Sequence, residues 1–241
     1  LVIDDYGPVW DRHWMLVDKI GNFITQREAS QLSQVKIKML SMEKGEFELS
    51  YADMDPIKLS PTQNSETLDI KIWVWDLKAI KCSDEINNWF SDIIGQPVFL
   101  VENSKEVTKR KVKEKYGDSY FKFADGMPLL LIGSSSLDLL NEKLKNKISI
   151  KNFRTNIFIK TNEPHIEDNW EKIKIKDLSF DLVKRCSRCL MVNINQDTGE
   201  TNPEVLRTLA SYRRGQKGIE FGQNLVHKSL GTIMLGDQIT F

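Results

Sequence analysis

The stretch Leu68-Asp69-Ile70-Lys71-Ile72-Trp73-Val74-Trp75 decides the fold class. Apolar and charged residues alternate through its first half, the period-two pattern of a strand with one face on a core. It is the longest strand candidate in the chain, and outward from it the sequence keeps reading as short strands. Upstream, Trp14-Met15-Leu16-Val17 runs into the turn signal Gly21-Asn22 and then Phe23-Ile24-Thr25, a hairpin pattern. Val35-Lys36-Ile37-Lys38-Met39 and Phe47-Glu48-Leu49-Ser50 alternate on either side of a turn at Glu43-Lys44-Gly45. Residues 55–65, with Pro56 and Pro61, are expected to be a loop. Downstream, strands are expected at 98–101, 129–132, 156–160, 172–175, 178–183 and 189–195, with a last pair around 232–235 and 238–241.

Helical spacing is rarer. Ser83 precedes Ile86, Trp89, Phe90, Ile93 and Ile94, apolar at helical intervals, and Gly95 and Pro97 end the pattern. Ser135-Ser136-Leu137-Asp138 resembles a capping box ahead of Leu139, Leu140 and Leu144. Asn202-Pro203-Glu204 opens a helix expected to run to about Tyr212 and to end by Gly215. A short helix is expected near 27–32. Many short strands with four helices exclude a doubly wound sheet. They predict a mainly β (α+β) fold with a β-barrel-like core. The helix end at Gly95-Gln96-Pro97 divides the chain into a β-rich region, 1–97, and a second domain, 98–241.

With 241 residues, 40% of them hydrophobic, the chain can bury a core without disulfides or a structural metal. Its 34 Lys and Arg balance its 34 Asp and Glu, so no net field favours nucleic acid. No apolar run approaches the roughly 20 residues of a membrane span, and no secretory signal opens the sequence. The chain begins at Leu1 rather than Met, so a preceding segment is expected. The basic run 104–115, with Lys105, Lys109, Arg110, Lys111, Lys113 and Lys115, reads as a solvated loop or as a docking surface for an acidic partner or a membrane.

Of three cysteines, two stand together in Lys184-Arg185-Cys186-Ser187-Arg188-Cys189. The odd, low count fits a reducing compartment. A structural zinc needs four ligands, and no second C-x-x-C accompanies His13, His165 and His227. A thioredoxin-like pair opens a helix, whereas this one precedes Leu190-Met191-Val192-Asn193-Ile194, an apolar strand pattern, and the turn Asp197-Thr198-Gly199. Two buried structural cysteines are the plain alternative. Against it stand Lys184, Arg185 and Arg188, whose charge favours a thiolate and attracts an anionic ligand. The residues themselves predict a reactive cysteine in a basic pocket and go no further.

An ordered set of segments carries a resemblance beyond that point. The C-S-R-C motif is followed by Asp197-Thr198-Gly199, Leu206-Arg207-Thr208-Leu209, Ser211-Tyr212-Arg213, Phe221-Gly222-Gln223-Asn224, Gly231-Thr232-Ile233 and Gly236-Asp237. Asp11-Arg12-His13-Trp14, Asp125-Gly126-Met127-Pro128-Leu129-Leu130 and Asn152-Phe153-Arg154-Thr155-Asn156 precede it in order. Together they resemble the MOSC-domain family, in particular the mitochondrial amidoxime-reducing components and their bacterial relatives, over nearly the whole chain. The resemblance implies an N-terminal β-rich MOSC region and a MOSC β-barrel that hold a molybdenum cofactor (Mo-molybdopterin). It implies that Cys189 is the metal ligand and catalytic cysteine. Arg12, Arg154, Asn156, Ser187 and Arg188 would bind the cofactor, with Cys186 structural or behind the ligand. Gly126-Met127 and Asn224 depart from the mitochondrial proteins, and an early Tyr-Pro-x-Lys-Ser cofactor segment is expected ahead of Leu1.

The implied activity is reduction of N-hydroxylated compounds, amidoximes and hydroxylamines, to amidines and amines. No dinucleotide fingerprint or cluster-type cysteine set is present, so the electron donor is separate. In the family it is cytochrome b5 with its reductase, or a flavin/iron–sulfur partner. A eukaryotic parent would place the protein at the mitochondrial outer membrane facing the cytosol, a bacterial one in the cytoplasm. The alternatives are the MOSC module of a molybdenum cofactor sulfurase, whose pyridoxal-phosphate domain lies elsewhere, and a cofactor-binding protein without catalysis.

Overall fold

The computed structural model describes residues 1–241, and the chain is mainly β with three α-helices, Asp84–Ile94, Ser134–Lys143 and Glu204–Tyr212. It divides into two compact units. The first comprises Leu1–Asp11, Arg110–Asn195 and Thr201–Phe241; the second comprises Arg12–Lys109 and Gln196–Glu200.

The first unit is built on a seven-stranded sheet. Its order is Ile157–Ile159, Leu129–Gly133, Gly218–His227, Leu178–Ser187, Lys172–Ile175 and Ile239–Thr240, with Arg214–Gly215 added on Gly218–His227. Only Leu129–Gly133 and Ile157–Ile159 run parallel. Both faces of the sheet are covered. Leu129, Leu131, Ile173, Ile175, Phe180 and Leu225 fill one side. Leu130, Ile132, Phe153, Phe221, Val205 and Leu209 pack on the other. That explains why Leu129-Leu130-Leu131-Ile132 shows no alternation, as a strand buried on two faces has no polar side. Full burial of Phe180 and Phe221 contributes roughly 1.5–3 kcal/mol each.

The central strand of the sheet, Gly218–His227, has no counterpart among the expected strands. Its Glu220, Gln223 and Asn224 interrupt the apolar pattern, yet Glu220 is buried against Arg185 of the neighbouring strand and Gln223 against Asp168 of the 3-10 turn Ile166–Asn169. At its middle Gly222 sits at φ +75°, and a Cβ there would come within 2.7 Å of the Leu131 carbonyl, so only glycine fits the irregular register opposite Arg185 and Ser187. The strand expected at 189–195 is instead a 3-10 turn, Leu190–Asn193. Its apolar residues point Met191 and Val192 inward, and the carbonyls a sheet neighbour would have used accept from the Asn152 amide. The last two strands do not pair with each other: Gly231–Thr232 joins Val2–Asp4, and Ile239–Thr240 joins Lys172–Ile175.

The second unit holds a five-stranded sheet, ordered Phe23–Ile24, Trp14–Val17, Phe99–Glu102, Trp75–Lys81 and Thr67–Ile72, and a three-stranded sheet of Lys36–Ser41, Glu46–Ser50 and Ile57–Leu59. The expected hairpin at 14–25 forms. The stretch 68–75 is not one strand but the tip of a hairpin, with Ile72 paired to Trp75 across Trp73-Val74. Trp73 takes the positive φ of 55° that the turn requires, without the Gly or Asn that would have announced it. Ile57–Leu59 adds a short strand inside the expected loop. The helix expected after Ser83 forms and ends on Gly95 at φ +77°. The one expected at 27–32 is a 3-10 turn at Ser30–Gln34. Helix Ser134–Lys143 starts without a capping box, because the Ser136 hydroxyl and the Gly133 amide both donate to the buried Glu167 carboxylate. Arg110 departs from the solvated reading of the basic run: it is fully buried, donating to the Lys122 and Ala124 carbonyls and stacked on Phe121. Burial draws its pKa down to about 10. The five lysines of that run are exposed.

Candidate functional site

Strand Leu178–Ser187 delivers the cysteine motif, and an irregularity between Arg185 and Ser187 turns successive side chains out of simple alternation. Cys186 is half-buried against the helix-covered core. Cys189 is exposed, at the entry to the 3-10 turn Leu190–Asn193. Between them the Arg188 backbone N–H donates to the Ile219 carbonyl at 2.7 Å. Its guanidinium donates through Nη1 to Cys186 Sγ at 3.0 Å and through Nη2 to the Phe153 carbonyl at 3.2 Å, and lies over the Phe153 ring. The Ser187 hydroxyl donates to the Lys217 carbonyl at 3.0 Å, and the residue is exposed.

The bond to Phe153 brings the N-F-R-x-N segment against the cysteine motif. Asn152 is buried and bonds the turn that follows Cys189. Arg154 is exposed and takes φ +51° at the end of the 3-10 turn Ile150–Phe153. The Asn156 side chain accepts from the Leu130 amide and donates to Asp11, each at 3.0 Å, and thereby fixes the segment's far end. Arg12 belongs to the other unit. There it takes φ +49°, so both of the expected cofactor arginines outside the cysteine motif hold left-handed backbone. Non-glycine residues in that region cost about 1–3 kcal/mol and concentrate at ligand sites.

The cations around the cysteines are not all available for an anion. Arg185 Nε lies 3.3 Å from Asp168, and its Nη1 lies 3.5 Å from Glu220. Asp168 also accepts from Arg213 at 2.6 Å and from Gln223 at 2.8 Å. Two buried carboxylates thus offset Arg185 and Arg213. The sequence counted the positive charge beside Cys186 but not these partners, which arrive from 168 and 220. Lys184 lies over the Tyr116 ring and near Gly126, which places the Asp125-Gly126 loop against the same strand. Behind this network His165 is held neutral, its pKa drawn down to about 4 by burial and by Arg213.

No group of three or more His, Cys, Asp or Glu side chains is gathered to hold a metal ion. What the site offers is one exposed sulfur, in a segment that also carries the Ser187 hydroxyl and the Arg188 guanidinium. A thiolate suits a soft transition metal, and the surrounding donors suit phosphate and polar ring atoms. This donor set fits a cofactor that brings most of its own metal ligands. Asn152, Phe153 and Asp168 were missed as site residues by sequence reasoning. The N-F-R-x-N match contained the first two, but nothing in it showed which way their polar groups turn.

A family model described as "MOSC domain" matches residues 118–240, and one described as "MOSC N-terminal beta barrel domain" matches 1–97. The mitochondrial amidoxime reducing component 2 of Rattus norvegicus is 30% identical over 97% of this chain and 73% of its own length. The mitochondrial amidoxime-reducing component 1 of Homo sapiens is 29% identical over the same shares. The molybdenum cofactor sulfurase of Oryza sativa subsp. japonica is 31% identical over 90% of this chain, which spans 29% of that protein.

Proposed function

This chain belongs to the MOSC-domain family, and from that we propose that it binds a molybdenum cofactor through Cys189 and reduces N-hydroxylated compounds with an external electron donor. The observation that carries the reading is the exposed Cys189 thiol on a turn tied to the N-F-R-x-N segment, with family models matching on both sides of residue 97. Bound there, the cofactor supplies two-electron reduction of an N–OH group, releasing the amine or amidine and water. The chain's residues do the rest. Cys189 supplies the sulfur ligand. Ser187 and Arg154 bind the cofactor's polar and anionic parts. Arg188 and Asn156, most of whose polar contacts lie within the protein, set the two segments that carry them. The division into 1–97 and 98–241 belongs to the same proposal.

Electrons come from a separate donor, a cytochrome b5 with its reductase or a flavin/iron–sulfur protein. In a eukaryotic parent the site of action is the mitochondrial outer membrane, in a bacterial one the cytoplasm. No helix is long and apolar enough to cross a membrane. The likeness to the sulfurases favours a second reading, the MOSC module of a larger sulfurase, in which sulfur comes from a pyridoxal-phosphate domain. The test is turnover of benzamidoxime by cofactor-loaded protein with a reduced donor present. Amidine formation that disappears in Cys189→Ser supports the reductase. Cofactor binding without any amidine formation sinks it and leaves the second reading.

A further inference from the structure

We propose that the dipeptide Asn152-Phe153 is a brace that fixes the Cys189 sulfur from both sides, with Asn152 a positioning residue for the metal ligand. The inference rests on the reading of Cys189 as that ligand. Cys189 and Leu190 are both exposed, at a point where the chain leaves a strand for a single 3-10 turn. Such a turn has little hydrogen bonding of its own: Val192 N–H reaches the Cys189 carbonyl at 3.3 Å, and Ile194 N–H reaches Met191 at 3.2 Å. Its hold comes from outside. One residue before the cysteine, Arg188 is pinned to the Phe153 carbonyl and lies over the Phe153 ring. Three and five residues after it, the carbonyls of Val192 and Ile194 accept from Asn152 Nδ2 at 3.0 and 3.1 Å.

Both N–H groups of that amide are therefore committed to the turn, and Asn152 is 5% exposed, so water does not substitute for it. On the turn's far side Asn193 accepts from Leu206 N–H at 2.9 Å and its carbonyl from Asn202 N–H at 2.7 Å. The sulfur thus projects from a segment clamped at 188, 192, 193 and 194. A ligand held this way keeps one geometry before metal arrives, which is what partners behind a metal ligand contribute.

Asn152→Asp tests the brace, since it keeps the side-chain volume and replaces both donors by a carboxylate facing two carbonyls. Asn141→Asp is the matched control. The Asn141 amide donates to the Ile148 carbonyl and accepts from the Ile148 N–H, so the same substitution removes one donor there instead of two, on a helix that carries no site residue. Molybdenum content is measured in protein matured with cofactor. In cofactor-free protein, amide exchange at Val192 and Ile194 and the rate of iodoacetamide attack on Cys189 are followed. Asn152→Asp is expected to lose about 10-fold in metal retention and to speed exchange at those amides by about 10-fold, with an altered Cys189 alkylation rate. Asn141→Asp, equal in melting temperature, keeps parental values in all three. Equal metal content and exchange in the two variants overturns the brace. If Asn152→Asp does not fold, Asn152→Ser, which keeps one donor, is held to the same comparison. Cys189→Ser separates the layers: if it keeps its metal, the proposed function fails, whereas if it loses metal while Asn152→Asp does not, only the brace fails.

Discussion

Two strands each deliver a cysteine at their ends, and the two cysteines have opposite surroundings. Trp75–Lys81 runs directly into Cys82, which lies beneath the following helix, 3% exposed, and has its thiol pushed up to about 12 by burial and by the Glu102 carboxylate. Glu102 itself accepts from Trp14 Nε1 and Thr62 N–H and lies 3.3 Å from His13. Leu178–Ser187 ends two residues before Cys189, which is exposed on a turn held from the outside. The strand type is the same and the residue is the same. What differs is whether the next element covers the sulfur or presents it. Cys82 is buried where the chain enters a helix with five buried residues, whose Asn87 amide donates to the Cys82 carbonyl; Cys189 is exposed at the entry to a four-residue turn bonded by Asn152. Chemistry at a cysteine is thus decided by the element that follows it.

The contrast breaks most visibly in metal retention. Cys189→Ser is expected to reduce molybdenum content to background, while Cys82→Ala leaves it at the parental level per folded chain; elemental analysis of matured protein checks both. Next in size is thiol reactivity. With a pKa of about 12, Cys82 holds roughly one thiolate in 10,000 at pH 8, so Cys189 should be alkylated at least about 100-fold faster in cofactor-free protein, read by peptide mass spectrometry. Comparable rates would mean that the helix does not seal Cys82.

The raised pKa also carries a stability consequence with a fixed sign. The folded thiol resists ionisation, so its contribution is fully present below the ordinary value of 9.0 and is lost as pH rises towards about 12. Cys82→Ala should flatten this alkaline decline in melting temperature, at a cost of about 1–2 kcal/mol for the space it leaves. The smallest effect concerns Arg154. Glycine relieves its left-handed strain and adds unfolded-state entropy, two terms of about 1 kcal/mol and opposite sign. Arg154→Gly should therefore stay within about 1 kcal/mol of the parent in denaturant melts, yet retain several-fold less cofactor. A stability loss well beyond that would make Arg154 a structural residue.

Much of the architecture is legible in the sequence. Period two at 47–50 and 172–175 and helical spacing at 86–94 name their elements, because a residue half in water must alternate with the geometry of its backbone. The misreadings have one cause. At 68–75 the turn was made by Trp73 and Val74, which carry no turn signature. At 218–227 the polar residues of a buried strand bond partners 35 to 55 residues away in the chain, so the segment carries no alternation that would announce a strand. At 190–193 an apolar run became a turn because Asn152 supplied the hydrogen bonds that a neighbouring strand would have supplied.

The site divides in the same way. The sequence by itself determined which atoms are available: a sulfur at 189, guanidiniums at 12, 154 and 188, a hydroxyl at 187, and an order of segments that marks the family. Only the tertiary structure decided which of these are presented and which are restrained. It buried Arg110, offset Arg185 with Asp168 and Glu220, and turned Asn152 onto the cysteine's own turn. The reason is physical: composition fixes each group's chemistry, whereas burial and partnership depend on residues distant in sequence, and these set what a charge or a thiol can do.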